Sequence, residues 1–284
     1  MSGRLGLPLG SAGTGRARYA RAMACHVKGR LSDAQLEAYR VAAASDSRPP
    51  APEFAARGLP VPQDLSGDGS SGPGILLDEI SGYLRALPGP GVAEVRAGLA
   101  AARRHRPVEA AAPMHNAVVA AHLPAALSAL KPDHPALADA ITAAAPHLGW
   151  CSYDAYDPAL IGGAFRRGHA FASLIGAEGG LPEVDFDIGL FLIAPQVFYR
   201  DHHHPAPELY APLTGPHGWR FGPGRPLVRK PAHQPVWNPA GRPHAIKVGA
   251  VPLLCLYAWT RDIAEAARVI PANDWPELEA LHLD

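Results

Sequence analysis

Cysteine is scarce in this chain. The 284 residues hold three, Cys25, Cys151 and Cys255, odd in number and far apart. They form no CxxC pair, so they build neither a disulfide framework nor a thiolate zinc cluster, and a reducing cytoplasm is the compartment they suit. Charge is also sparse at 18% of residues, with 26 basic side chains against 26 acidic ones. A chain with no net charge lacks the electrostatic footprint of a nucleic-acid or anionic-membrane binder. No window approaches the ~18 apolar residues of a membrane-spanning helix. Internal repeats are absent. The basic stretch from Arg4 to Arg30 has no acid before Asp33, but it carries no continuous apolar core of a secretory signal. It reads as a frayed leader followed by a first helix, and the alanine- and proline-rich composition looks bacterial.

What the chain does have is apolar residues, 48% of the total, with 31 prolines and 29 glycines as punctuation. That is enough for one large domain or two modest ones. The pattern changes near residue 165. Before it, apolar residues recur at helical spacing in Ser32–Ala44, Gly74–Leu87, Gly91–His105, His115–Leu130 and His134–Leu148. Pro124 is expected to kink or break the fourth. Residues 45–73 are rich in Ser, Pro and Gly and read as an irregular linker. After residue 165 come short segments separated by Gly and Pro: His169–Gly176, Asp185–Ala194, Gln196–His204, Glu208–Gly215, Gly218–Gly222, His244–Gly249 and Pro252–Thr260. They predict strands of a sandwich or barrel. "IAEAARVI" and "WPELEALHL" in the tail predict a return to helix.

Within "YRDHHHPAPELY", His202 and His204 are two apart and so share one face of a strand. Pro205 and Pro207 permit a turn that brings Glu208 back beside them. In "PAGRPH" a proline–glycine turn leads into His244. His202, His204, Glu208 and His244 thus form a candidate ligand set for one divalent transition metal ion, Fe(II), Mn(II), Co(II), Ni(II) or Zn(II). His203 should face the other way. His217, His233 and the N-terminal histidines lack ligand spacing. Arg242 and Lys247 near His244 read as solvated positions, and Cys255 as buried and inert.

HxHxxxE with a glycine at Gly215, followed by PxGxxH from Pro239 to His244, resembles the two metal-binding motifs of the cupins. Two positions depart from the pattern without removing a ligand: Gln196 stands where the first motif opens with glycine, and Val248 where the second ends with asparagine. The resemblance implies an α+β chain with a C-terminal jelly-roll β-barrel and an N-terminal α-helical region. The boundaries are then 1–164 for the helical region, 165–265 for the cupin barrel and 266–284 for a helical tail. Cupin barrels often pair, so a homodimer is one assembly this implies.

The stretches "YRDHHHPAPELYAPLTGPHGW", "NPAGRPHAI" and "PLLCLYAW" narrow the resemblance to the cupin-type dimethylsulfoniopropionate (DMSP) lyases and lyase-like relatives. Tyr199, Tyr210 and Trp259 match aromatic positions of that family. The resemblance implies a β-elimination that yields dimethyl sulfide and acrylate. Tyr210 is the expected base. Tyr199, Trp259 and, less directly, Tyr257 would hold the sulfonium through their ring faces. The partner is then a small molecule with a carboxylate and a sulfonium, with no nucleic acid and no membrane. Two other readings share the fold: a cupin enzyme acting on another small carboxylic acid, including an oxygen-dependent one, and a non-catalytic binding protein.

Overall fold

The computed structural model describes residues 31–45, 50–60, 72–103, 115–154, 156–176 and 185–284, with Gly15, Tyr19, Ala22, Met23, His26 and Val27. Most of the basic leader lies outside the described residues. Two compact units divide between Ile75 and Leu76. In the first, helix α1 (Asp33–Ala42) starts at a capping box in which Ser32 and Gln35 satisfy each other's backbone N–H. It packs on α2 (Ala51–Ala56) through an edge contact of Tyr39 with Phe54 at 5.2 Å. Helix α2 lies inside the segment expected to be irregular: Pro50 and Pro52 sit at the start of the helix, where a missing N–H costs nothing.

Helices α3 (Gly72–Ala86), α4 (Val92–Ala102), α5 (Ala117–Leu130) and α6 (Pro135–Ala144) follow the helical pattern of the sequence. Pro124 does not break α5, which runs through it as one helix. Short helices α7 (Pro158–Ile161) and α8 (Gly163–Arg167) lead into the strands.

The strands are β1 (His169–Ile175), β2 (Asp187–Ile193), β3 (Phe198–His203), β4 (Glu208–Pro212), β5 (His217–Arg220), β6 (Val228–Lys230), β7 (Val236–Asn238), β8 (His244–Lys247), β9 (Leu253–Trp259) and β10 (Arg268–Val269). They form two antiparallel sheets, ordered β1-β2-β9-β4-β7 and β10-β3-β8-β5-β6. This is the jelly roll expected of a cupin, and the class is α+β. The strands make two separate five-stranded sheets, not a closed barrel. Phe191 and Tyr210 from the first sheet meet Tyr199, Trp219 and Ile246 from the second in one buried cluster. The far face of the first sheet is apolar too, and α5 packs against β1, β2 and β9.

One expectation for the tail fails. "IAEAARVI" contains no helix; Arg268–Val269 form β10 on the edge of β3, because pairing with His203 and His202 outweighs the local alanine-rich preference. Helix α9 (Trp275–Ala280) then forms as the sequence predicts, and its Trp275 covers Phe198 and Ala245 on the outer face of the second sheet. Among the described residues, no helix is long and apolar enough to cross a membrane.

Candidate metal centre and cavity

His202 on β3 and His244 on β8 are directly paired across the second sheet, and His204 follows one residue beyond β3. Each Nδ1 meets a backbone carbonyl: Arg200 O at 2.8 Å, Ala206 O at 2.7 Å and Arg242 O at 2.9 Å for His202, His204 and His244. A carbonyl only accepts, so each Nδ1 carries its proton and each ring is oriented by it. The Nε2 atoms of His202 and His244 are buried and have no hydrogen-bond partner. The ligand atoms of the three histidines lie within 4.8 Å of one another. Buried lone pairs left unmatched cost ~1–3 kcal/mol each. Imidazole nitrogens converging in this way fit a borderline divalent cation.

Glu208 opens β4 in the facing sheet. Its Oε2 lies 3.1 Å from His204 Nε2 and 3.3 Å from His244 Nε2, and its Oε1 accepts from Trp259 Nε1 at 2.8 Å. Burial pushes the Glu208 carboxyl up, but His204 and His244 outweigh it and hold it well below the usual carboxylate range. Burial likewise pulls His204 down, and the Glu208 carboxylate more than offsets this, so His204 holds its proton more tightly. A bound cation would take the place of that proton.

The register explains how Tyr199 joins the site. Tyr199 pairs with Ile246 and His202 with His244, so β3 spends one more residue than β8 over this stretch. This bulge turns two residues an odd number apart onto one face. The Tyr199 ring stacks on His202 at 3.9 Å and on Phe165 at 4.0 Å. Both of its faces are therefore covered, and it offers the cavity its edge and a hydroxyl hydrogen-bonded to that of Tyr156.

On the first sheet, Asp187, Trp259 and Glu208 stand in one cross-strand row, and Gly189, Tyr257 and Tyr210 in the next. Paired residues share a face. The side chains of Asp187, Trp259, Glu208, Tyr257 and Tyr210 line a cavity of about 180 Å³ with Phe171, Phe191 and Tyr199, smaller than the roughly 300–1,000 Å³ of drug-sized sites. Trp259 stacks on His204 at 4.4 Å. Tyr257 lies over Gly189, where a Cβ would come within 2.8 Å of its ring. Burial raises the Tyr210 phenol well above its ordinary value, and the Glu208 carboxylate adds to this.

Sequence reasoning missed four polar residues here: Asp187, Ser173, His169 and Asn238. Asp187, Ser173 and Tyr257 share hydrogen bonds. His169 Nδ1 donates to Phe165 O at 2.6 Å and its Nε2 accepts from Tyr153 N at 2.9 Å, which fixes it neutral. Asn238, paired with Glu208, is fully buried with both amide atoms unpartnered. The signal for Asp187 was present: it sits at an inward register of β2 among apolar residues.

Other candidates lie elsewhere. His203 pairs with β10 and is half-buried. His233 meets Tyr83 Oη at 3.1 Å. Lys247 is fully buried, not solvated, and donates to Gln196 O and Glu279 O. Arg242 lies 4.0 Å over the Phe221 ring. Cys255 is buried, and burial raises its thiol well above the ordinary value.

Comparison with known proteins gives the family. The chain is 29% identical over 161 residues to the dimethylsulfoniopropionate lyase DddQ of Ruegeria pomeroyi, which spans 55% of this chain and 77% of the relative. The crystal structure of DddQ from that organism superposes with a TM-score of 0.53 at 25% identity, covering 69% of this chain and 94% of that one. A chain from the crystal structures of the DMSP lyases RdDddP and RnDddQII shares the fold, with a TM-score of 0.51 at 23% identity over 72% of this chain and all of that one. The dimethylsulfoniopropionate lyase family model matches residues 93–255, a span that holds His202, His204, Glu208, Tyr210 and His244. With more than half of its length so matched, the chain belongs to the dimethylsulfoniopropionate lyase family.

Proposed function

We propose that this protein is a metal-dependent carbon–sulfur lyase that cleaves dimethylsulfoniopropionate to dimethyl sulfide, acrylate and a proton. The observation that carries this reading is the convergence of three imidazoles, two of them beside Glu208, which together with Tyr210 lines an aromatic cavity. His202, His204, Glu208 and His244 would hold the ion. When bound, a divalent ion there supplies a Lewis acid for the substrate carboxylate and positive charge beside Tyr210.

The residues do the rest. In the elimination, the C–H bond beside the carboxylate breaks and its electron pair becomes the new C=C bond. The C–S bond breaks, and its pair leaves on sulfur as neutral dimethyl sulfide. The proton goes to Tyr210 Oη, which must first be a phenolate. Burial opposes that form, so the base requires the cationic site next to it. The aromatic wall keeps water from the reacting carbons and faces the sulfonium, which has no N–H or O–H to bond. Cation–π attraction of roughly 0.5–2 kcal/mol per ring serves instead, with Trp259 and Tyr257 as the open candidates.

Headspace gas chromatography tests this on protein reconstituted in turn with Fe(II), Mn(II), Co(II), Ni(II) and Zn(II). Dimethyl sulfide should appear, stop with chelator, and fall by about 10²–10⁴-fold in Tyr210→Phe with metal content unchanged. A Tyr210→Phe variant at the wild-type rate sinks the base assignment. No dimethyl sulfide with any metal, in protein whose site elemental analysis shows filled, would overturn the substrate. Attention would then turn to another small acid, with oxygen uptake as its readout.

A further inference from the structure

The cavity holds two carboxylates, and the proposed reaction uses one. Glu208 stands with the histidines. Asp187 stands in the same cross-strand row with Trp259 between them. Strands lie about 4.8 Å apart, so the two backbones are about 10 Å apart along that row. Both side chains line the cavity, and no lysine or arginine is among the described residues that line it. His169, which also lines the cavity, is fixed neutral by Phe165 O and Tyr153 N–H.

Asp187 has only neutral partners among the described residues. Ser173 Oγ donates to its carboxylate at 2.8 and 3.0 Å, and Tyr257 Oη at 3.2 Å. Burial pushes its carboxyl up to about 6, against those hydrogen bonds. A carboxylate ionised there at neutral pH costs stability that an asparagine would not. A cation brought into the cavity removes that cost.

We propose that Asp187 is the counter-charge for the cationic end of the substrate, and that it selects small onium carboxylates over their uncharged isosteres. This deepens the lyase reading and rests on it in one respect, that the substrate carboxylate goes to the histidine end. The sulfonium then lies among Trp259, Tyr257 and Phe171, whose ring is edge-on to Tyr257 at 6.2 Å. Asp187 is the anionic group of that wall. Aromatic faces favour any soft cation modestly; a carboxylate behind them sets the sign of the charge that is admitted.

The test is calorimetric binding to the full-length, metal-loaded protein of two probes that differ in one atom. These are 3-(trimethylammonio)propanoate and 4,4-dimethylpentanoate, in which carbon replaces the charged nitrogen. Wild type should prefer the ammonium by about tenfold or more. Asp187→Asn should bring the two within about threefold of each other while leaving the affinity for the carbon probe unchanged. Asp187→Glu, which keeps the charge, should restore part of the preference, and Ser173→Ala should retain it. Asp187→Ser gives the same reading if the asparagine variant does not fold.

Equal binding of the two probes by wild type overturns the proposal. So does a loss in Asp187→Asn that weakens both probes alike, which is the mark of a purely structural role. The probes report charge selection whether or not dimethyl sulfide is released, so failure of the lyase reading and failure of this one are told apart. Where turnover is measured, Asp187→Asn should raise KM for the sulfonium substrate more than it lowers kcat.

Discussion

At the scale of single residues, the protonation of the buried histidines is set by what each ring nitrogen faces. His217 is the clearest case away from the cavity. Its Nδ1 accepts from Gly249 N–H at 3.1 Å, and its Nε2 lies 3.4 Å from Thr214 Oγ1. That hydroxyl is committed to Pro252 O and Leu254 N. Protonating Nδ1 would set a donor against a donor. Burial pushes the imidazole down to about 4 from an ordinary 6.5. Between those values the unfolded chain binds the extra proton and the folded one does not, so stability rises with pH across the window. The contribution is complete above about pH 6.5 and is lost as pH falls toward 4. The loss by pH 4.5 is about 2–3 kcal/mol. Urea melts at pH 7 and 4.5 should show a smaller acid loss in His217→Asn than in wild type. Parallel losses would remove His217 from the account.

The element that carries the site is β3, and it is held from behind. Its inward residues are Tyr199 and His202; its outward Asp201 is fully buried against Arg220 of β5. Arg220 Nε reaches Asp201 Oδ1 at 3.1 Å, Arg220 Nη1 reaches Asp274 Oδ2 at 2.5 Å, and Trp275 Nε1 donates to Asp201 Oδ2 at 2.9 Å. Arg220→Met leaves the buried Asp201 without a counter-charge, which should cost about 3–5 kcal/mol of stability. Adding Asp201→Leu should recover much of that loss. A single variant within about 1 kcal/mol of wild type, the size of an exposed pair, would show that the network is not what holds β3. Little of this was legible in the sequence. The strand segments were: β1–β5, β8 and β9 fall where the Gly and Pro punctuation places them, because the chain must turn at each strand end and needs residues that permit it. The histidine pair, Glu208 and the PxGxxH turn were legible because their spacing is local. What was hidden depends on other strands. The bulge in β3 is a matter of register against β8. The short β6, β7 and β10 have too few residues to show a period, and β10 exists only because β3 offers it an edge. Gln196 belongs here as well. It takes the motif's glycine position with φ 61°, a conformation that suits glycine, and its side-chain amide hydrogen-bonds Leu283 at both oxygen and nitrogen. The departure from the motif gives a grip on the C-terminal tail in exchange for a strained backbone.

At the scale of the whole molecule, the chain is two compact units, residues 1–75 and 76–284, and every candidate ligand belongs to the second. An ion that binds the folded site and not the unfolded chain stabilises by mass action, about 2.7 kcal/mol at a hundredfold excess over Kd. For a unit of roughly 200 residues, where 1 kcal/mol moves Tm by about 2–4 °C, that is a rise of roughly 5–10 °C. The ligands span both sheets, with His202 and His244 on one and Glu208 on the other, so the ion's contribution is tied to the sandwich as a unit. None of the candidate ligands lies in the first unit. Calorimetric melts with and without chelator should therefore move the transition of residues 76–284. A separate transition from the first unit, where one is resolved, should stay in place. His204→Ala should abolish the shift, since it removes one of the candidate ligands, the imidazole whose Nε2 lies 3.1 Å from Glu208. A transition that ignores chelator in protein shown to carry the metal would mean the ion sits elsewhere. The two unpartnered imidazole nitrogens would then need another occupant.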